Sequence, residues 1–153
     1  MPASGLLATV NGMTEVHDSP EGWVADHIKS YVSSDGEQGH LWHGVPTLLL
    51  TTKGRKSGEL RRTALIYGEH DGAYLLVASQ GGADKHPAWY LNLDADPEVQ
   101  VQVGADKFSA RARTASAEEK PELWAKMTKI WPPYDEYQAK TQRQIPVVVL
   151  ERT

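Results

Sequence analysis

Between Pro46 and Thr114 this chain reads as a succession of β-strands, and that stretch decides its architecture. The apolar run Leu48-Leu49-Leu50-Thr51-Thr52 belongs to a strand over Thr47–Lys53, and a partner strand follows over Leu60–Gly68. Glu69-His70-Asp71-Gly72 supplies turn chemistry before a third strand, Ala73–Ser79, rich in Tyr, Leu and Val. Val99, Val101 and Val103 alternate with Gln100 and Gln102, the period of a half-buried strand. Gly104-Ala105-Asp106-Lys107 turns it into Phe108–Thr114, which places Arg111 and Arg113 on one face. Ile145–Arg152 is the last strand, with Pro146 near its start, where a missing N–H costs little.

Helices fall before, within and after this meander. Ser19-Pro20 reads as an N-cap and first-turn proline for a stripe of Trp23, Val24, His27, Ile28, Tyr31 and Val32, ended by Ser33-Ser34-Asp35-Gly36. His86-Pro87 opens a short helix through Leu93. Ser116 and Glu119 have capping-box spacing ahead of the face Leu123, Trp124, Met127, Ile130 and Trp131, although Pro121 fits that start poorly. Pro132-Pro133 stops it, and Tyr134 and Tyr137 then share a face of a short helix. Antiparallel strands with flanking helices make an α+β fold, a small barrel. Residues 1–18 lack periodicity and are expected to form a mobile arm, leaving 19–153 as a single domain.

Composition removes several function classes. There is no cysteine, so disulfides, thiolate metal sites and a cysteine nucleophile are excluded. His40-x-x-His43 has no carboxylate or cysteine beside it to complete a metal set, and no metal is expected. No apolar run approaches the ~20 residues a bilayer demands, and Met1-Pro2-Ala3-Ser4 lacks the charged start of a signal peptide, so a cytoplasmic protein is expected. No Walker loop, GxGxxG or Ser-His-Asp ordering is present.

One turn stands against the acidic background. Lys53-Gly54-Arg55-Lys56-Ser57-Gly58-Glu59-Leu60-Arg61-Arg62 sets five bases against one acid in a chain whose net charge is −4. A solvated hairpin tip would look the same. A second feature favours an anion site: Ser79-Gln80-Gly81-Gly82-Ala83-Asp84-Lys85 carries a strand through a double glycine to a helix start, where backbone N–H groups can face an anion beside a lysine.

These stretches, taken with Leu49–Gly58, Ser79-x-Gly81-Gly82-Ala83-x-Lys85-x-Pro87-x-Trp89-Tyr90-Leu91-Asn92-Leu93, Val99–Gln102, Tyr134-x-x-Tyr137-Gln138 and Ile145-Pro146-Val147-Val148-Val149, resemble the deazaflavin-dependent nitroreductase family of actinobacteria. The likeness runs from about Trp23 to Glu151. It implies a split β-barrel of the FMN-binding type and an oxidoreductase that passes hydride from reduced coenzyme F420 to a quinone, with nitroaromatic reduction as a side activity. By resemblance, Arg55, Lys56, Ser57 and Arg61 would hold the cofactor's phosphate and oligoglutamate tail. Val77, Ala78, Ser79 and Gln80 would lie along the deazaflavin ring, with Pro87, Trp89, Tyr90 and Asn92 closing the site from the helix. Tyr134 would sit over the acceptor pocket and contact the cofactor, with Tyr137 near the rim and Ser79 and both tyrosines as the catalytic candidates. Gln80 replaces a lysine of the nitroreductase that names the family, and Trp131 and Ile66 replace pocket aromatics, with Ile66 still at the cofactor. Three other readings stay open: an FMN-dependent split-barrel oxidoreductase, a non-catalytic module for a deazaflavin, fatty acid or haem, and, weakest, a nucleic-acid role, since no aromatic platform interleaves the cations. Peripheral contact with the inner face of the cell membrane, through the Trp23–Val32 helix, is also left open for a lipid quinone.

Overall fold

The computed structural model describes residues 16–18, 22–38, 40–42 and 44–153. Its strands are β1 (Val16–Asp18), β2 (Leu41–Trp42), β3 (Val45–Lys53), β4 (Leu60–Ile66), β5 (Gly68–His70), β6 (Ala73–Val77), β7 (Glu98–Val103), β8 (Asp106–Thr114) and β9 (Val147–Arg152). The helices are α1 (Gly22–Ser33), α2 (Ala88–Ala95), α3 (Lys120–Ile130) and α4 (Pro133–Ala139), with a 3-10 turn at Gln80–Gly82.

The sheet order is β1-β4-β3-β7-β8-β9-β6-β5. Closure follows from chain continuity, because β4 and β5 are one extended run interrupted at Tyr67. Its first half pairs antiparallel with β3 and its second half with β6. Asp71 (φ 50°) and Gly72 (φ 79°) reverse the chain between the paired residues His70 and Ala73, the geometry a right-twisted two-residue hairpin requires. Past the Tyr67 break β5 follows β6 only as far as Leu75, so Leu76 and Val77 pair with β9 but not with a strand on their other side. The barrel is split there.

Continuous apolar runs mark strands covered on both faces. In β3, Leu48 and Leu50 join the barrel interior, while Leu49 points out against Ile28 and Tyr31 of α1. In β9, Val148 and Leu150 point inward with Tyr67, Leu76, Val99, Val101 and Phe108. Val147 and Val149 point outward to Leu123, Met127 and Tyr134 of α3 and α4. Full burial of each Leu is worth ~1.5–3 kcal/mol, so two covered faces outweigh the loss of a polar one.

Several sequence expectations need adjustment. Val16–Asp18, assigned to the arm, pair in parallel with Leu60–Arg62 and extend the sheet beyond β4. The rest of that arm, the Ser19-Pro20 cap and His43 lie outside the described residues. Ser116 and Glu119 do form a reciprocal box, the Ser116 N–H donating to Glu119 at 2.8 Å and the Glu119 N–H to the Ser116 hydroxyl at 3.3 Å. The helix starts only at Lys120, which puts Pro121 in its first turn, where no hydrogen bond is lost.

Candidate functional site

Strand direction gathers the candidate residues. β3 and β8 both run antiparallel to β7, and β8 and β6 both run antiparallel to β9. The C-terminal ends of β3, β6 and β8 therefore share one end of the barrel. The basic turn leaves β3 there, the glycine segment leaves β6 there, and α2 spans the distance between them. His86, just before α2, accepts a hydrogen bond from Arg143 beside the end of β6, and the Tyr90 hydroxyl meets Thr114 at the end of β8 at 2.9 Å. Asn92 reaches Thr52 near the end of β3.

Asn92 is a bracket. Its buried amide accepts from the Arg55 backbone N–H at 3.2 Å and from Arg55 Nη1 at 3.1 Å, and donates to Thr52 at 3.2 Å. The side chain expected to close the site is thus spent on fixing the basic turn to the barrel. The turn also closes on itself, with Gly54 N–H donating to Glu59 O at 2.7 Å and Gly58 N–H to Gly54 O at 2.8 Å. Lys53, Arg55, Lys56 and Ser57 are exposed on it. Arg61, paired with Thr52 across the hairpin, lies 3.7 Å from Glu59, a half-exposed ion pair worth little and easily exchanged for another anion.

On the other side, Val77, Ala78 and Ser79 are buried and Gln80 is exposed. Gly82, the second glycine of the pair, has a packing role that the sequence does not show. Gly82 N–H and Ala83 N–H donate to Ser79 O and Gln80 O inside the turn, so neither is left to face an anion. Gly82 sits at φ 85°, and a Cβ there would come within 2.8 Å of Tyr137 O. It is glycine because α4 packs on it. Gln80 occupies the left-handed region at φ 44°, which costs a non-glycine residue of order 1 kcal/mol.

Tyr134 is 4% exposed, in edge contact with Tyr137 and tilted against Trp124. Burial, with Tyr137 adding to it, pushes its phenol well above the usual tyrosine range. Such a group keeps its proton and acts as a hydrogen-bond donor. Tyr137 is half-buried and accepts from Trp131 Nε1 at 3.4 Å. Ile66, at the far end of β4, packs against the outer cluster that contains Tyr134, beneath α3 and α4. Pro87 is buried and Trp89 half-buried against the core.

Arg143 escaped the sequence reading. Its Nε donates to Ala83 O at 2.7 Å, Nη2 to Ser79 O at 2.8 Å, and Nη1 to Ala78 O at 3.2 Å and toward His86 Nδ1 at 3.1 Å. Among the described residues no group of three or more His, Cys, Asp or Glu could hold a metal.

The geometry therefore offers an anion-suited turn, a half-open strand edge and a phenol-bearing wall. Known proteins match this chain in sequence and fold. The family described as F420H(2)-dependent quinone reductase matches residues 23–152. An F420H(2)-dependent quinone reductase of Mycobacterium tuberculosis is 39% identical over 130 residues, 82% of this chain and 87% of that one. Among solved structures, an F420-H2 dependent reductase is 45% identical with a TM-score of 0.65, covering 69% of this chain and 94% of that one. Another, described as a domain-swapped dimer, is 41% identical with a TM-score of 0.68, covering 87% of this chain and 100% of that one. This chain, a split barrel with one cationic end, belongs to the F420H(2)-dependent quinone reductase family.

Proposed function

We propose that this protein passes hydride from reduced coenzyme F420 to a quinone, acting through one cofactor-binding domain that includes the Val16–Asp18 strand. The observation that carries the reading is the one-ended arrangement: the exposed cations of the basic turn and the half-paired edge of β6 lie at the same end of the barrel, bridged by α2. When bound, reduced F420 supplies the hydride, since a ring carbon replaces the flavin nitrogen that would otherwise pass single electrons.

The chain supplies binding, orientation and shielding. Arg55, Lys56, Ser57 and Arg61 hold the phosphate and carboxylates of the tail, Arg55 already aimed by Asn92. Val77, Ala78, Ser79 and Gln80 lie along the ring, where Val77 has no strand partner on one side. The Ser79 hydroxyl does not cap the 3-10 turn and can face the site. Pro87, Trp89 and Tyr90 close it from α2. Tyr134 donates a hydrogen bond to the acceptor oxygen as negative charge develops there, with Tyr137 nearer the rim, and the proton that completes reduction comes from solvent. The residues thus fit an anionic tail and a flat ring.

No helix among the described residues is long and apolar enough to cross a membrane. The proposed setting is cytoplasmic, and nucleic acid has no place in it, because the cations lack interleaved aromatics. For a lipid quinone the protein would touch the inner membrane face through α1, but Ile28 and Tyr31 are already spent on β3, so sedimentation with vesicles should recover only a minor fraction.

The test is a titration with oxidised F420 and with FMN, followed by stopped-flow mixing of the F420H2-loaded protein with a soluble quinone. Tighter binding of FMN would transfer the assignment to the flavin reading. Loaded protein that no quinone oxidises would make this a binding module.

A further inference from the structure

We infer that Arg143 is a positioning residue that shapes the cofactor-facing segment from Ala78 to Ala83, an assignment that rests on the proposed function for its consequence but not for its geometry. In a strand, successive carbonyls point to opposite sides. Arg143 captures the consecutive carbonyls of Ala78 and Ser79 with one guanidinium and adds that of Ala83, so the chain must leave strand geometry at this point. Ser79 accordingly has helical torsions (φ −82°, ψ −37°), and Gln80 follows in the left-handed region. Including the His86 Nδ1 contact, four of the five guanidinium N–H groups are directed at this one segment and its exit. A planar fork can make that set, and a lysine cannot.

The arginine is itself held. Its backbone N–H donates to the Thr141 hydroxyl at 3.3 Å, and Gln138 Nε2 donates to its carbonyl at 2.7 Å, while Gln138 Oε1 accepts from Ile145 N–H at 2.9 Å. Thr141 also donates to Asp84 at 2.9 Å, a second stitch between the two loops. Carbonyls drawn toward Arg143 leave the opposite side of the segment free to continue the half-paired edge of β6. The strain at Gln80 persists because the clamp and the packing of Gly82 under Tyr137 over-determine it. The guanidinium of Arg143 is engaged with these carbonyls and with His86. It acts through the backbone that the ring would lie on.

Arg143→Lys tests this, because it keeps the charge and loses the fork. Two readouts are needed on protein whose circular dichroism shows it folded: amide hydrogen exchange of the unliganded chain, and the Kd for oxidised F420 with FMN titrated in parallel. The expected result is faster exchange confined to Gly82, Ala83 and their neighbours, with Kd for F420 raised about tenfold or more, since ordering the segment is then charged to binding. Faster exchange with unchanged Kd would make Arg143 merely structural and overturn the inference. Raised Kd with unchanged exchange would overturn it too, because the charge would then be acting directly. Wild-type protein that binds neither cofactor sinks the proposed function alone. In that case the exchange data still judge the clamp: unchanged exchange overturns it, and a localised increase upholds it.

Discussion

The two ends of the barrel are built from the same strands and differ in what they leave exposed. At the end away from the site, the buried Tyr31 hydroxyl donates to Thr47 O at 3.0 Å and accepts the Gly104 N–H at 2.6 Å. Because its proton is committed to a carbonyl, His40 Nδ1 must be the donor in their long contact (3.5 Å), which leaves Nε2 to accept from Tyr67 at 3.4 Å. Burial pushes the Tyr67 phenol up to about 12, and Tyr74 and Phe108 continue the aromatic packing. Gly36 and Gly104 approach so closely that a Cβ on Gly36 would meet Gly104 Cα at 2.3 Å. At that end these groups are paired, and among the described residues His70 Nδ1 is the exception, buried without a partner. At the other end, cations stand in water, a strand edge is half paired and a glutamine is strained. The contrast lies in what is exposed: both ends hold their backbone with buried or half-buried side chains, Tyr31 at one and Asn92 and Arg143 at the other, but the second leaves the cations of one turn in water.

The sharpest break of this comparison removes charge from the open end. Arg55→Ala with Lys56→Ala should raise the Kd for F420 by about 100-fold or more, from two charge-assisted hydrogen bonds at ~1.5–3 kcal/mol each. Stability should move by no more than about 1 kcal/mol, since both side chains are exposed and Asn92 loses its bond to Arg55 Nη1 but keeps the one to the Arg55 backbone N–H. The loss should shrink at high salt, because exposed ion pairs are screened within ~8 Å. Fluorescence titration and thermal melts together check it. An unchanged Kd would return the basic turn to a solvated hairpin tip.

The mirror experiment is Tyr31→Phe at the closed end. It strands the Gly104 N–H and one acceptor of Thr47 O in a buried setting, so about 2–3 kcal/mol of stability should be lost by denaturant unfolding. Kd for F420 should hold at temperatures where the variant stays folded. A variant that keeps its stability would show that the closed end is less complete than its geometry implies.

How much of this was legible in the sequence depends on the length scale of the cause. The strands of the barrel were readable because period and turn chemistry are local, as in Val99–Val103 and the Asp71-Gly72 turn. Closure was not, since nothing in the run from Leu60 to His70 announces that its two halves pair with different strands. Val16–Asp18 is too short to carry a period. The cationic turn was visible as composition, but the capture of Arg55 by Asn92 spans 37 residues and could not be seen. Gly82 was read as an opening for an anion when its cause is the close approach of α4, a contact across more than 50 residues. Arg143 looks like any solvated arginine between Thr141 and Gln144. Its position between the Tyr137-Gln138 and Ile145-Pro146 segments is the only local hint.

A smaller effect is expected from Tyr134→Phe, which tests whether the wall of the open end contributes chemistry. The ring and its packing against Trp124 are retained and the hydroxyl is lost. Because burial holds the proton on this phenol, the hydroxyl can stabilise charge by a hydrogen bond but is a poor proton donor, so the loss belongs at the low end of what acid groups provide. A fall of about tenfold in kcat/KM for a soluble quinone, with Kd for F420 unchanged, is the expected outcome. Tyr137→Phe should do less. Equal rates for wild type and Tyr134→Phe in stopped flow would reduce Tyr134 to a wall.

The smallest effect is one of pH, and it falls on His86, where the clamp meets α2. Burial lowers its pKa from 6.5, the Arg143 guanidinium lowers it further, and Asp94 opposes both. Tyr90 packs on the ring at 4.9 Å. The neutral ring accepts from Arg143 through Nδ1, so protonation would set two donors against each other. For a histidine whose folded pKa lies below its unfolded one, the unfolded chain binds the proton more readily between the two values. Its contribution to stability is therefore complete above about 6.5 and is lost as pH falls through the folded value. His86→Asn places an amide oxygen near the position of Nδ1 and cannot titrate. Melting temperatures from pH 8 to pH 5 should then fall less steeply for the variant than for the wild type, with little difference near pH 8, and subtracting the two curves isolates the contribution of His86. Parallel curves would mean that His86 is already exposed enough to protonate without disturbing Arg143, and the clamp would end at the three carbonyls.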